Sequence, residues 1–237
     1  MRATVAGAAA ALLALGIWGC TVRVGDSGRE ETRTVSIDKP KADMVEVTVA
    51  MSAGELEMSG GAERLMEGKF TFSGGNLEPD VQFEDSSFRG RLSVRNKSRT
   101  ATMGSQARNL WEIRLADDVR MDLNVTLGAG ESKLNLGTLT LRSAKVQIGA
   151  GQVTVDLRGP KKTNCDIEVR GGVGEATVLV PKDVGVVAEA RGGLGEVQVR
   201  GLQREGGKWT NEQYGKSPIT IRLDVKGGIG QINIRAE

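Results

Sequence analysis

Histidine is absent from all 237 residues. That removes the commonest general base near neutral pH and the commonest protein metal ligand. Ser-His-Asp and Cys-His catalysis are excluded with it. Aromatic residues amount to only 3%, so a core has to be built from Val, Leu, Ile, Met and Ala. A dominant charge is also lacking: 32 Lys and Arg stand against 30 Asp and Glu, a net +2. The two signs are interspersed, which argues against a nucleic-acid surface. What the chain has in excess is glycine, 33 residues, about twice the usual share of roughly 7%. Without a collagen period, that much glycine means many tight turns.

The N-terminus reads as an export signal. Arg2 precedes an uncharged, mostly apolar run from Ala3 to Trp18, too short and wrongly flanked for a membrane span. Residues 1–19 are expected to be a signal peptide. Gly19 directly before Cys20 resembles the lipobox of bacterial lipoproteins, although Trp18 replaces the usual small residue. The resemblance implies cleavage before Cys20, lipid on Cys20 and a membrane-anchored protein of the cell envelope. Residues 20–33 then serve as the lipidated cysteine and a polar tether. A lipidated Cys20 leaves Cys165 unpartnered, commonly a buried structural residue and more rarely a reactive thiol; a Cys20–Cys165 disulfide is the third option, open only without a lipobox.

One pattern recurs from near Trp111 onward: an alternating strand, a Gly-apolar-Gly turn, Glu or Gln, and another alternating strand. The copies are Gly128-Ala129-Gly130-Glu131, Gly149-Ala150-Gly151-Gln152, Gly172-Val173-Gly174-Glu175, Gly193-Leu194-Gly195-Glu196 and Gly228-Ile229-Gly230-Gln231. The second glycines are 21, 23, 21 and 35 residues apart, and a fainter copy lies at Ser52-Ala53-Gly54-Glu55. Leu134 and Leu136, or Val153, Val155 and Leu157, alternate as on a half-buried strand. A period in the twenties points to units that bury their faces only by stacking. The expected fold is therefore all-β: a glycine-punctuated β-solenoid, like a right-handed β-helix, over residues 109–237. Its glycines would line up at one corner, with Ala129, Ala150, Val173, Leu194 and Ile229 turned inward. Residues 34–108 form a smaller β-rich N-terminal domain that could cap the first coil, and Asn96 to Arg108 is the expected boundary.

Trp111-Glu112-Ile113-Arg114-Leu115, the Gly-Ala-Gly repeats and the closing Gly227-Gly228-Ile229-Gly230-Gln231-Ile232 together resemble the toast-rack β-solenoid proteins. Relatives of that family include bacterial candidate adhesins and the C-terminal domain of cell-wall-active antibiotic response proteins. Met51 to Leu56, Lys69-Phe70-Thr71-Phe72 and the strand from Arg91 to Arg95 resemble the N-terminal domain that accompanies them. The resemblance implies a fold and an envelope protein far more than an activity.

Candidate sites are few. Gly172 to Thr177 superficially matches a dinucleotide loop, but a helix must follow such a loop, and Val178-Leu179-Val180 follows here. No nucleotide is expected. Ser36-Ile37-Asp38-Lys39 matches a Ser-x-x-Lys motif, which likewise needs a helix. Glu131, Gln152, Glu175, Glu196 and Gln231 would stack into a polar edge, either a weak cation or glycan strip or simply acceptors for turn N–H groups. Asp117-Asp118 reads as a surface turn. The long last interval, Gln203 to Ser217, holds Trp209 and Tyr214: a binding loop or a plug for the open coil end. No metal site, cofactor or nucleic-acid partner is expected. The leading reading is a non-enzymatic, lipid-anchored binding or adhesion-like module with an envelope protein or glycan partner. A regulator of envelope-stress signalling and a carbohydrate-active β-helix enzyme are the alternatives.

Overall fold

A computed structural model describes residues 30–98 and 107–237. The strands are β1 (Glu30–Ile37), β2 (Met44–Ser59), β3 (Met66–Ser73), β4 (Pro79–Asp85), β5 (Gly90–Asn96), β6 (Asn109–Leu115), β7 (Arg120–Asn135), β8 (Leu141–Asp156), β9 (Cys165–Val180), β10 (Gly185–Arg200), β11 (Gln203–Glu205), β12 (Lys208–Thr210) and β13 (Thr220–Ala236). The helical content among the described residues is one short 3-10 turn, Gly75–Leu77.

The long strands β2, β7, β8, β9, β13 and β10 are the rungs of the solenoid. Each pairs in parallel with its neighbours along nearly its whole length. Each carries one Gly-x-Gly corner that divides it into two arms. In β7 the buried apolar residues before the corner are odd-numbered (Met121, Leu123, Val125, Leu127), and the buried residues after it are even-numbered (Ser132, Leu134). In β8 the parity changes from Ala144, Val146 and Ile148 to Val153 and Val155. The alternation slips by one at the corner, so both arms turn their apolar face to the same interior. The slip is absorbed by the second glycine, whose φ is +128° at Gly130 and +122° at Gly151. A Cβ on Gly151 would overlap the carbonyl oxygen of Gly130, and one on Gly130 that of Gly54. The corners therefore form a glycine seam that no other residue fits.

The interior is aliphatic, as the shortage of aromatics requires, and one continuous cluster runs from Val45 to Ala236. Each fully buried Val, Leu or Ile in it contributes about 1.5–3 kcal/mol relative to exposure.

Three expectations are revised. First, the tether does not extend to Arg33: β1 begins at Glu30 and pairs with β3. Second, residue 108 does not divide the sheet, because β2 is already a full rung, in register with β7 from Met44↔Arg120 to Ser59↔Asn135. The faint copy at Gly54 is thus the first corner of the solenoid. The cap is a rung broken at its corner: β5 pairs with the first arm of β2 and β6 with the second. Asn109 marks the break by donating from Nδ2 to the carbonyl of Ala53, 2.6 Å. Beyond it, β4 continues one arm and β3 and β1 the other, all antiparallel. Trp111 and Phe70 fill this end edge to face, ring centroids 5.5 Å apart. Third, space does not follow sequence at the other end: the order is β9-β13-β10. The strand latest in sequence is inserted beside β9, and β10 is pushed to the rim.

Candidate functional site

The five polar-edge residues do stack. The registers place Glu131 beside Gln152, Gln152 beside Glu175, Glu175 beside Gln231, and Gln231 beside Glu196. Because β13 lies between β9 and β10, Gln231 separates two carboxylates that are successive in sequence. Glu175 accepts from Thr177 Oγ1 (3.2 Å) and Asn233 Nδ2 (2.7 Å). Among the described residues, none of these five side chains bonds a corner N–H; the corner amides belong to the inter-rung ladder.

The corner apolar residues do not turn inward. Val173, Leu194 and Ile229 are 54%, 72% and 53% exposed, and Ala129 and Ala150 are exposed as well. With the parity slip taken up at the second glycine, the residue between the glycines sits on the convex side of the bend. Along the seam it changes from Ala53, Ala129 and Ala150 to Val173, Ile229 and Leu194, in adjacent registers. The first three rungs show that the fold is satisfied by alanine here. The larger exposed side chains on the last three rungs are surplus to folding.

The same three rungs carry charged rows on the outer face of the first arm. Glu168, Asp224 and Glu189 are neighbours in one row, and Arg170, Lys226 and Arg191 in the next. Each acid pairs with the base two residues on: Glu168–Arg170, Asp224–Lys226 and Glu189–Arg191. On β7 and β8 the same rows hold Asn124 and Lys145, then Thr126 and Gln147. From arm to corner, the last three rungs thus present an acidic row, a basic row, an apolar ridge and the Glu/Gln edge. Rungs stand about 4.8 Å apart, and alternate residues on a strand about 6.6 Å.

Next to the acidic row lies an open trough of about 560 Å³, lined among others by Lys145, Asp166, Glu168, Glu189, Arg222 and Asp224. Lys208 of β12 reaches its rim and pairs with Glu189 at 3.2 Å. The hydrogen bond and charge of Lys208, aided by Arg191, hold the Glu189 carboxyl below the usual range. Asp224 accepts from Lys226 through Oδ2, while its buried Oδ1 has no hydrogen-bond partner among the described residues. The banding was legible in principle. Glu168-Val169-Arg170, Glu189-Ala190-Arg191 and Asp224-Val225-Lys226 each run straight into their Gly-Gly-apolar-Gly corner. The glycines are the stronger signal, and the acid-x-base triplet before them is the weaker one.

Trp209 and Tyr214 have different surroundings. Trp209 pairs with Ala188 through β12 and packs on the core, with the Arg204 guanidinium 5.6 Å from its ring centroid. Asn211 clamps the segment, accepting from Val186 N–H (2.9 Å) and donating to the Val184 carbonyl (2.7 Å). Tyr214 stands 44% exposed. Cys165 is buried and free; burial raises its thiol pKa against the opposing pull of Lys161, which makes it a structural residue. Cys20 and the signal segment lie outside the described residues. Asp117 accepts from Thr138 Oγ1 at 2.6 Å and Asp118 pairs with Lys39 at 2.7 Å, so both serve a turn. The Gly172–Thr177 loop lies within continuous β9 and has no helix N-terminus to hold a phosphate. Among the described residues no helix is long and apolar enough to cross a membrane, and no group of three His, Cys, Asp or Glu side chains could hold a metal ion.

Two-armed parallel rungs joined by a glycine seam define a β-solenoid of the toast-rack kind. The chain belongs to the toast_rack family: residues 26–179 match the N-terminal domain of toast_rack. Residues 129–234 match the C-terminal domain of the cell wall-active antibiotics response protein LiaF. A crystal structure of a candidate cell adhesion protein from Clostridium sporogenes is 32% identical, covering 88% of this chain and 100% of that one, with a TM-score of 0.85. A candidate adhesin from Bacteroides fragilis is 12% identical over 87% of this chain and 97% of that one, with a TM-score of 0.22. No curated protein matches the chain.

Proposed function

We propose that this chain is a non-enzymatic binding module of the bacterial cell envelope, exported and held at a membrane by lipid on Cys20. Its partner-binding surface is the banded face of β9, β13 and β10. One observation carries this reading: rungs built to one plan keep alanine at the corner and no acid–base pair in the two rows on β2, β7 and β8, where Lys145 is the single charge, and acquire an exposed apolar ridge beside paired charges on the last three. Exposed aliphatic side chains rimmed by charge suit an envelope protein partner better than a glycan. The similarity to a candidate adhesion protein supports the same class.

The test is retention on the bacterium's own envelope fraction. Leu194→Asp with Ile229→Asp changes only exposed positions, so it should leave folding intact and reduce retention about tenfold or more. Undiminished retention of a folded double variant would sink the proposed surface. The anchor is tested separately, by the mass of the N-terminal peptide from cells: diacylglycerol on Cys20 is expected, and an unmodified residue refutes it.

The match to the LiaF C-terminal domain favours a second reading, a part in the response to cell-wall-active antibiotics. A deletion strain with an unchanged response would remove it.

A further inference from the structure

The rim strand β10 is only half covered. It pairs with β13 along its full length, but on its other side β12 reaches only Val187 and Ala188. No described strand pairs with the free side of Glu196-Val197-Gln198-Val199-Arg200. Val197 there is 37% exposed, although its row-mates Ile232, Ala176 and Val153 are buried. Its interior face is therefore complete in every respect except a neighbour.

The backbone is open in the same way. In the second arm, inward-facing residues direct their N–H groups to the following rung: Leu136 N–H to Asp156 O and Leu157 N–H to Leu179 O, both 2.8 Å. By that alternation the N–H and C=O groups of Val197 and Val199 point to the free edge. An open edge with apolar inward residues is a template for another strand.

The five residues are charge-complementary to themselves when reversed. Lay Glu196-Val197-Gln198-Val199-Arg200 antiparallel to a copy, with Gln198 facing Gln198. Glu196 of each chain then lies opposite Arg200 of the other, and Val197 opposite Val199. Because Val197 and Val199 carry the free groups, each Val–Val pair exchanges two hydrogen bonds, and Gln198 faces its counterpart as a non-hydrogen-bonded pair. A two-fold axis through that pair makes the contact isologous and closed, with both valines of each copy extending one shared interior.

We propose that the second arm of β10 pairs antiparallel with the same segment of a second copy of this chain, so that the protein is a two-fold dimer with its sheet continuous across the contact.

The full chain, dispersed in mild detergent because of its apolar N-terminal stretch, should sediment with the mass of two chains. Glu196→Arg or Arg200→Glu alone sets like charges opposite each other twice per dimer, and each should weaken association roughly tenfold or more. The double exchange Glu196→Arg/Arg200→Glu restores the pairing and should restore the dimer. Gln198→Cys in a Cys20→Ser background puts two thiols about 4.5 Å apart between Cα atoms, within disulfide reach, so oxidant should link the chains rapidly. This variant keeps Glu196 and Arg200 and so reports on the register even if a charge exchange disturbs folding. A monomer at every concentration, a dimer indifferent to the single exchanges, failure of the double exchange to restore a folded chain's association, or absent cross-linking would each overturn the proposal. So would a monomer whose edge instead takes up a strand of another protein.

Discussion

The second glycine of each corner has a backbone conformation and a contact that no other residue tolerates, while the residue before it has neither constraint. Gly151→Ala places a side chain at φ +122° and against the Gly130 carbonyl. It should cost about 3 kcal/mol or more, seen as a lower urea midpoint. Ala150→Val, one residue away, adds bulk to an exposed position and should change stability by only about 0.5 kcal/mol. The contrast was half legible. Five glycines at a common place in each repeat mark the corner, but the apolar residue between them looks like core until the parity slip is known. Asp122 is a second case. Burial raises its carboxyl pKa, but hydrogen bonds from Arg142 and Ser143 and the Arg142 charge outweigh that and hold it below the usual carboxylate range. A lowered pKa means that its contribution is complete above the ordinary carboxylate value and is lost as pH falls through the lowered one. Asp122→Asn should therefore cost about 1–3 kcal/mol at neutral pH. The gap from wild type should close on acidification, measured by urea titration at several pH values.

Among the elements, the insertion between β10 and β13 shows what a repeat leaves unspecified. Trp209 and Asn211 close the first arm of the rim through packing and two backbone hydrogen bonds. Trp209→Ala should cost about 1–3 kcal/mol and open Gln203 to Ser217 to protease. Asn211→Ala should cost about 1–2 kcal/mol, measured by the same denaturation. Alternation made every rung legible as a strand, because one face of each is buried and the other wet. Which rung lies beside which was not legible: stacked parallel strands with equivalent corners fit one another in several orders, and only the length of the insertion hinted that the chain leaves the stack before β13. The cap was misjudged for a related reason. Gly54 belongs to a weak copy of the repeat, so the solenoid began one rung earlier than its strongest signals.

For the whole molecule, uniform rungs beside uneven surfaces separate stability from recognition. The aliphatic interior repeats with little change from β2 to β10, whereas the acid–base pairs within a rung and the apolar ridge beside them occur on the last three rungs. A chain cut after Ser217 lacks β13, which leaves β10 only the slot beside β9. Hydrogen exchange should show Gly185–Arg200 less protected than in the full chain while β7 and β8 stay slow, as expected of near-neighbour stability in a stacked array.

The position of β13 also imposes a schedule on the nascent polypeptide. When β10 arrives in N-to-C order, the slot beside β9 is vacant and complementary in pattern, and β10 could fill it. The correct occupant has yet to follow. Each newly made molecule must therefore either hold β10 aside or eject it when β13 arrives, a delay that single-molecule refolding would record as a slow final step absent from arrays whose strands stack in the order they are read.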